Sequence, residues 1–109
     1  MKIDMGAVLT NLEGKPIFEG DAQGNPTTEP LTLRAVCRQA LLSTLRGDEA
    51  LTGQQKADYF ALALLVGQDA PELKAEQVTT LKERIGKGYG PLIVGRSYEL
   101  LDPSSGASG

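Results

Sequence analysis

The stretch that decides the fold is LKAEQVTTLKERIGKGYGPLIVGRSYELLD, residues Leu73 to Asp102, in which two helices and the corner between them follow one another without a gap. Its first part places Val78, Leu81 and Ile85 at spacings of three and four residues, which puts them on one narrow face of a helix. Lys74 is a poor N-cap, so we expect the helix to begin through a hydrophobic staple and a glutamine at the third helical position.

Glycines then interrupt the helical pattern at Gly86, Gly88 and Gly90, and Pro91 follows directly. The spacing predicts that these glycines adopt the left-handed backbone that ends a helix, and that Pro91 begins the next helix, where its missing N–H costs nothing. One side of that helix carries Ile93, Val94, Ser97, Tyr98, Leu100 and Leu101. The stretch therefore predicts two helices packed around a tight corner.

The glycine-rich corner also raises the question of a phosphate site. A dinucleotide fingerprint needs a preceding strand and a third glycine three residues after the second, and a phosphate loop needs Gly-Lys-Ser/Thr at the start of the helix. The corner has neither pattern. The helix that begins at Pro91 still offers free N–H groups to an anion. We therefore keep a weak anion site at Lys87, Gly88 and Gly90 as the alternative to a simple turn.

Two further helices are predicted upstream, over residues 31–45 and 53–66. Thr52 caps the second with a glutamine three residues on, and the middle of that helix is apolar on nearly every side. Such a helix lies at the centre of a core or at an interface. Leu42 projects from the first helix beside Arg38, away from its apolar arc. The candidate interface residues are Arg38, Leu42, Tyr59 and Phe60.

The front of the chain has a different composition. Residues 3–12 alternate imperfectly between apolar and polar, and residues 11–15, with Gly14, supply a turn before Pro16, Ile17 and Phe18, which predicts a short hairpin. Residues 21–30 collect Gly, Asn, Pro and Thr, which predicts a mobile link without regular structure. The expected division is an N-terminal hairpin or extended arm with a mobile loop at 1–30, a helical domain at 31–102 and a disordered tail at 103–109.

Composition limits the possible functions. With 109 residues there is room for one modest core, and a net charge of -3 opposes nucleic-acid binding, which needs a basic face. The single cysteine, Cys37, lies on the apolar side of the first helix and is predicted to be a buried small hydrophobe rather than a nucleophile. The absence of histidine excludes Ser-His-Asp and Cys-His sites within this chain, as well as the usual zinc sites. We expect no cofactor, no metal and no membrane span.

Several segments together resemble small, mostly uncharacterised proteins encoded by tailed bacteriophages and prophages. These segments are Leu12–Ile17 (LEGKPI), Leu51–Lys56 (LTGQQK), Leu73–Val78 (LKAEQV), Leu81–Gly86 (LKERIG), Gly90–Gly95 (GPLIVG) and Glu99–Asp102 (ELLD). The likeness covers most of the chain and rests on helix caps and core residues. The family would place Ser or Thr where this chain has Lys74. The resemblance implies a fold and a phage origin, and it implies no catalytic residue.

Three classes of function remain. The favoured one is a non-enzymatic phage or prophage interaction protein, acting in virion assembly or on a host protein, in the bacterial cytoplasm or associated with the virion. The alternative is a nucleic-acid-associated accessory protein of phage replication or regulation, which would need these basic residues on one face: Arg34, Arg38, Arg46, Lys82, Arg84, Lys87 and Arg96. The third is a small carboxylate enzyme that uses Asp58 with Tyr59, or Glu76 with Glu83, although each pair also fits a solvated helix face.

The sequence thus predicts a mainly α domain of four helices with a short N-terminal β-hairpin (α+β), bound to a phage or host protein or to itself.

Overall fold

A computed structural model describes residues 2–20 and 26–101. The described residues form four α-helices and a two-stranded antiparallel hairpin near the N-terminus, which confirms the predicted fold class. The elements are β1 Phe18–Gly20, β2 Pro26–Pro30, α1 Leu33–Leu42, α2 Gly53–Leu65, α3 Ala75–Gly88 and α4 Pro91–Leu101. A short 3-10 helix, Asp48–Ala50, lies between α1 and α2.

Local sequence sets where the helices begin. In α1 the Thr32 Oγ1 accepts a hydrogen bond from a backbone N–H one turn on (3.2 Å). In α2 the predicted capping box is formed, since Thr52 Oγ1 accepts from the Gln55 N–H (3.1 Å) and Gln55 Oε1 accepts from the Thr52 N–H (2.9 Å). In α3 Gln77 Oε1 accepts from the Lys74 N–H (2.8 Å), which is one of the two hydrogen bonds of a capping box. The second hydrogen bond is not formed, because a lysine side chain has no acceptor for a backbone N–H.

The glycine corner differs from its prediction. α3 continues through Gly86 and ends at Gly88, after which Tyr89 is extended. In the part of the chain that the structure describes, positive φ angles occur only in turns outside this corner. The prediction of left-handed conformations at Gly86, Gly88 and Gly90 is therefore wrong. A residue before proline is restricted to extended backbone, so Gly90 leads into Pro91 without a left-handed residue.

Glycine is needed in α3 for close packing instead. A Cβ atom added at Gly86 would lie 3.0 Å from the Tyr98 hydroxyl oxygen. That hydroxyl donates a hydrogen bond to the Lys82 carbonyl (2.7 Å), and the Lys82 ammonium lies 5.3 Å from the centre of the Tyr98 ring. The missing side chain lets Tyr98 of α4 cross close to α3, which fixes the corner between the two helices.

The paired strands lie later in the chain than the sequence pattern indicates. The predicted turn is present, with the Asn11 N–H donating to the Lys15 carbonyl (2.8 Å). The regular strands, however, are β1 and β2, on either side of residues 21–25, which lie outside the described residues. The prediction that residues 26–30 lack regular structure is wrong. Prolines are tolerated at strand ends and edges, and those of β2 stand at its two ends.

The N-terminal segment packs on the helical body. Ile3, Met5 and Leu9 are buried in the same core as the helices. The backbone N–H groups of Ile3 and Met5 donate to the carbonyls of Pro71 (3.3 Å) and Asp69 (3.2 Å). This segment therefore closes the core against the loop that precedes α3.

The rest of the core comes from all four helices and the turns beside them. Its buried apolar members are Leu33, Val36, Cys37, Ala40, Leu41, Leu62, Ala63, Val66, Leu73, Val78, Leu81, Ile85 and Leu101. Ser97 is also fully buried, as its place on the apolar side of α4 predicts. Within the described ranges no helix has the length and hydrophobicity of a membrane span. The predicted disordered tail at residues 103–109 lies outside them.

Candidate functional site

The helix α2 is apolar on more sides than the core covers. Leu62 and Ala63 are buried, and so is Val66 in the turn that follows. Phe60 and Leu64 lie one turn apart on another side and are 58% and 61% exposed. The described part of the chain thus leaves two large apolar side chains of α2 uncovered.

The end of α1 lies beside this exposed side of α2. Leu42, predicted as an interface residue, is 60% exposed and lines a cavity together with Lys56, which precedes Phe60 by one turn. Arg38 lies against the other end of α2, because a Cβ atom added at Gly67 would stand 2.6 Å from its Nη2. We define the α1–α2 face as five exposed side chains: Arg38, Leu42, Lys56, Phe60 and Leu64.

This face carries basic groups at both ends. Arg38 and Lys56 are exposed, and none of the ion pairs among residues 2–20 and 26–101 includes either one. Two acidic residues, Asp48 and Glu49, line the cavity together with Lys56. Asp48 is buried, whereas Glu49 is exposed. The α1–α2 face thus places exposed apolar side chains between two exposed basic groups.

The cavity, about 380 Å³ in volume, opens between the end of α1 and the start of α2. It is lined by Leu41, Leu42, Ser43, Thr44, Asp48, Glu49, Leu51, Lys56, Tyr59 and Arg84. Tyr59, a predicted interface residue, forms one wall and is half-buried, with its ring centre 4.7 Å from the Arg84 Cζ. Apolar walls with a few polar groups are typical of a pocket that takes a side chain or a small ligand.

One side of this cavity is built on a buried ion pair that the sequence analysis missed. Arg84 of α3 donates from Nη1 to Asp48 Oδ1 (2.6 Å) and from Nη2 to Asp48 Oδ2 (3.0 Å). The Nε and Nη2 groups also donate to the carbonyls of Ala40 (3.1 Å) and Ser43 (2.9 Å). The Leu45 N–H donates to Asp48 Oδ2 (2.6 Å). This bidentate, charge-assisted network joins α3 to the end of α1 and to the 3-10 helix.

The same network makes the stability of the fold depend on pH. Hydrogen bonds from Arg84, followed by that from the Leu45 N–H, lower the pKa of Asp48 from 3.8 to about 2. Because the pKa is lower in the folded state, this carboxylate stabilises the fold above about pH 4, and that contribution is lost as the pH falls toward 2. We expect the melting temperature, followed by circular dichroism, to fall more steeply between pH 4 and pH 2 in the wild type than in Asp48→Asn. Equal slopes would contradict the assignment.

Cys37 is buried in the core, as predicted, and burial raises the pKa of its thiol to about 12. Because the thiolate is the reactive form, we expect the native protein at pH 8 to react with a thiol reagent at least about a hundredfold more slowly than the protein unfolded in urea. The unfolded protein is the internal control. Comparable rates would show that Cys37 is not held in the core.

Three residues of the predicted basic set bind the protein itself. Arg84 forms the buried pair, and Arg34 donates to two carbonyls in the turn after α2 (3.2 Å each). Arg96 donates to the carbonyls of Thr10 (3.0 Å) and Asn11 (2.9 Å), which ties the N-terminal turn to α4. These guanidinium groups therefore have structural hydrogen bonds instead of being free to contact phosphates.

The candidate carboxylate pairs are not brought together as the sequence suggested. Asp58 Oδ1 accepts a hydrogen bond from Gln54 Nε2 (2.9 Å), whereas the Tyr59 ring faces the arginine of the ion pair. Asp58 instead shares a groove between α2 and α3 with Glu76. Glu83 is exposed on α3 and does not line that groove.

The predicted anion-site residues lie on either side of the α3–α4 corner. Lys87 and Gly88 are in the last turn of α3, and Gly88 faces the Leu45 side chain. The Gly90 carbonyl accepts the first hydrogen bond of α4, from the Val94 N–H (3.0 Å). The anion site stays a prediction.

Comparison of the chain with protein-family models, with curated proteins and with solved structures returned no match. Within the residues described, no group of three or more His, Cys, Asp or Glu side chains is arranged to hold a metal ion.

Proposed function

We propose that this chain is a non-enzymatic phage or prophage interaction protein that acts through protein–protein contacts, and that its α1–α2 face is the binding surface. The observation that carries the proposal is the exposure of Leu42, Phe60 and Leu64 on two packed helices, next to an apolar cavity. Leaving apolar surface in water costs roughly 25 cal/mol for each Å². Large apolar side chains exposed together on neighbouring helices mark a binding surface more often than isolated ones do.

The charges on the face also support a protein partner. Among the residues that the structure describes, Arg38 and Lys56 are exposed and take part in no ion pair, so both are available to acidic groups of a partner. Duplex DNA, by contrast, needs several basic groups free to contact phosphates, and Arg34, Arg84 and Arg96 already bind backbone or carboxylate oxygens. We propose that the protein acts in the bacterial cytoplasm or in association with the virion, on a partner from the phage or the host.

Substituting the exposed apolar residues of the α1–α2 face tests whether that face binds the partner. Leu42→Asp and Phe60→Asp should each abolish co-purification of the bound partner from infected cells, because a carboxylate cannot be buried unpaired in an apolar contact. Leu12→Asp is the matched control, since Leu12 is 83% exposed and lies outside the face. Circular dichroism should show all three variants folded. Retention of the partner by both face variants would contradict the proposal.

A further inference from the structure

One side of α2 carries a stripe of apolar and small residues along its whole length. Gly53, Ala57, Phe60 and Leu64 follow one another at spacings of four, three and four residues, which places them in one line on the helix. All four are exposed, and a Cβ atom added at Gly53 would meet no neighbouring atom within 4 Å. We define these four residues as the α2 stripe. The same spacing is typical of a helix that packs lengthwise against a second helix.

The two edges of the α2 stripe carry opposite charge. On the edge toward α1, Lys56 lines the cavity with the end of α1, and Arg38 lies against Gly67. On the edge toward α3, Asp58 shares a groove with Glu76, and both residues are exposed. In the part of the chain that the structure describes, none of these four charged groups belongs to an ion pair. The α2 stripe therefore runs between a basic edge and an acidic edge.

Neighbouring charges do not reverse either edge. Glu49 lines the cavity beside Lys56, and it is one carboxylate against the two cations of the basic edge. Asp69, just beyond the end of α2, is paired with Arg34 (3.3 Å). The residues that line the groove at the acidic edge include no basic side chain. A helix that packs on the α2 stripe therefore meets positive charge along one flank and negative charge along the other.

A two-fold axis brings two copies of the α2 stripe together in one of two ways. If the axis is perpendicular to α2, the helices are antiparallel and each edge meets the same edge of the other copy, so that like charges face one another. If the axis runs along α2, the helices are parallel and the basic edge of each copy meets the acidic edge of the other, as opposite flanks do in a parallel coiled coil. Charge complementarity favours the parallel pair.

We propose that the partner of the α1–α2 face is a second copy of this chain, packed through a parallel pair of α2 helices with Lys56 of each copy opposite Asp58 of the other. This inference rests on the proposed function and names the partner of the same site. Each residue of the α2 stripe meets its own counterpart, so the two Phe60 rings contact each other beside the two Leu64 side chains. The small side chain of Ala57 lets the two helices approach closely.

The size of this contact sets the expected strength of association. The helix α2 has 13 residues and is roughly 20 Å long at 1.5 Å per residue. Stable complexes bury about 1,200–2,000 Å² of surface, and one helix from each copy provides less. We therefore expect a reversible dimer with a dissociation constant in the micromolar range.

Sedimentation velocity from micromolar to millimolar concentrations tests the proposal. The wild type should form a dimer as its concentration rises, and Phe60→Ala should weaken that dimer by about tenfold or more. Lys56→Glu and Asp58→Lys should each weaken it by roughly fivefold, because each places like charges opposite one another. The double variant Lys56→Glu/Asp58→Lys should recover most of the loss. Leu12→Ala, on a surface outside the contact, is the control.

The sign of the Lys56→Glu effect decides the orientation. In an antiparallel pair Lys56 would face the basic edge of the other copy, so Lys56→Glu would strengthen the dimer and overturn the parallel arrangement.

Disulfide formation tests the register of the two helices independently. In the parallel pair position 57 of one copy meets position 57 of the other, so Ala57→Cys should form a covalent dimer on air oxidation, visible on a non-reducing gel. Leu12→Cys is the matched control, since it is also exposed and should remain largely monomeric. The native Cys37 is buried and is present in both variants. Crosslinking of Ala57→Cys no faster than that of Leu12→Cys would overturn the proposal.

The outcomes separate this inference from the proposed function. A wild type that stays monomeric at every concentration would overturn the inference, as would a Phe60→Ala variant that associates like the wild type. If Phe60→Asp still loses a different protein that the wild type retains from infected cells, the α1–α2 face remains a binding surface. Circular dichroism should show every variant folded, since positions 56, 57, 58 and 60 are exposed.

Discussion

Replacing Arg84 with methionine is expected to lower the melting temperature by more than about 10 °C, because removing one partner leaves a buried carboxylate without its counter-ion. Arg84 is buried and binds Asp48 together with the carbonyls of Ala40 and Ser43. Arg84→Lys should also lose stability, since an ammonium cannot form the bidentate pair. Thermal unfolding followed by circular dichroism measures both effects.

Two further variants separate the ion pair from ordinary hydrogen bonding. Arg96→Met removes an arginine that is less buried and also donates to two backbone carbonyls, so it should cost at most about half as much. Arg84→Met/Asp48→Asn should recover part of the loss, because the unpaired charge is gone. A melting temperature for Arg84→Met within about 3 °C of the wild type would show that the pair does not hold the fold together.

The second large effect is expected at the N-terminal segment. Met5→Ala should reduce the free energy of unfolding by about 2–5 kcal/mol, because Met5 is fully buried in the core and truncation leaves a cavity. Urea unfolding measures this loss. The matched control is Leu12→Ala, a truncation at an exposed site of the same segment, which should change the free energy by less than about 0.5 kcal/mol. If both variants unfold like the wild type, the segment is not part of the cooperative core.

The helices were predictable because their signals are local. The Thr52 cap, the spacing of Val78, Leu81 and Ile85, and the position of Pro91 each specify a helix within a few residues. The corner glycines were misinterpreted because the contact that requires a glycine there is not local in sequence. Gly86 is explained by the approach of Tyr98 from another helix, and no local pattern reports that contact.

The candidate site was only partly predictable. The apolar circumference of α2 and the position of Leu42 in the helical pattern predict exposed apolar side chains, and Leu42 and Phe60 are indeed exposed. The Asp48–Arg84 pair joins residues 36 positions apart, so helical periodicity could not reveal it. A basic residue on the apolar side of α3, between Leu81 and Ile85, is the signal that could have pointed to a buried arginine.

The hydrogen bonds of Arg96 to the N-terminal turn also limit the order of events during synthesis. Arg96 and Thr10 are 86 positions apart in the chain. At about 5–20 residues per second, the ribosome needs roughly 4–17 s to add the residues between them. During that interval α1, α2 and α3 are added in turn, so Ile3, Met5 and Leu9 have only part of the core that buries them, and closing so long a loop is slow. The nascent N-terminal segment is therefore exposed to chaperones and to other chains until α4 has left the ribosome.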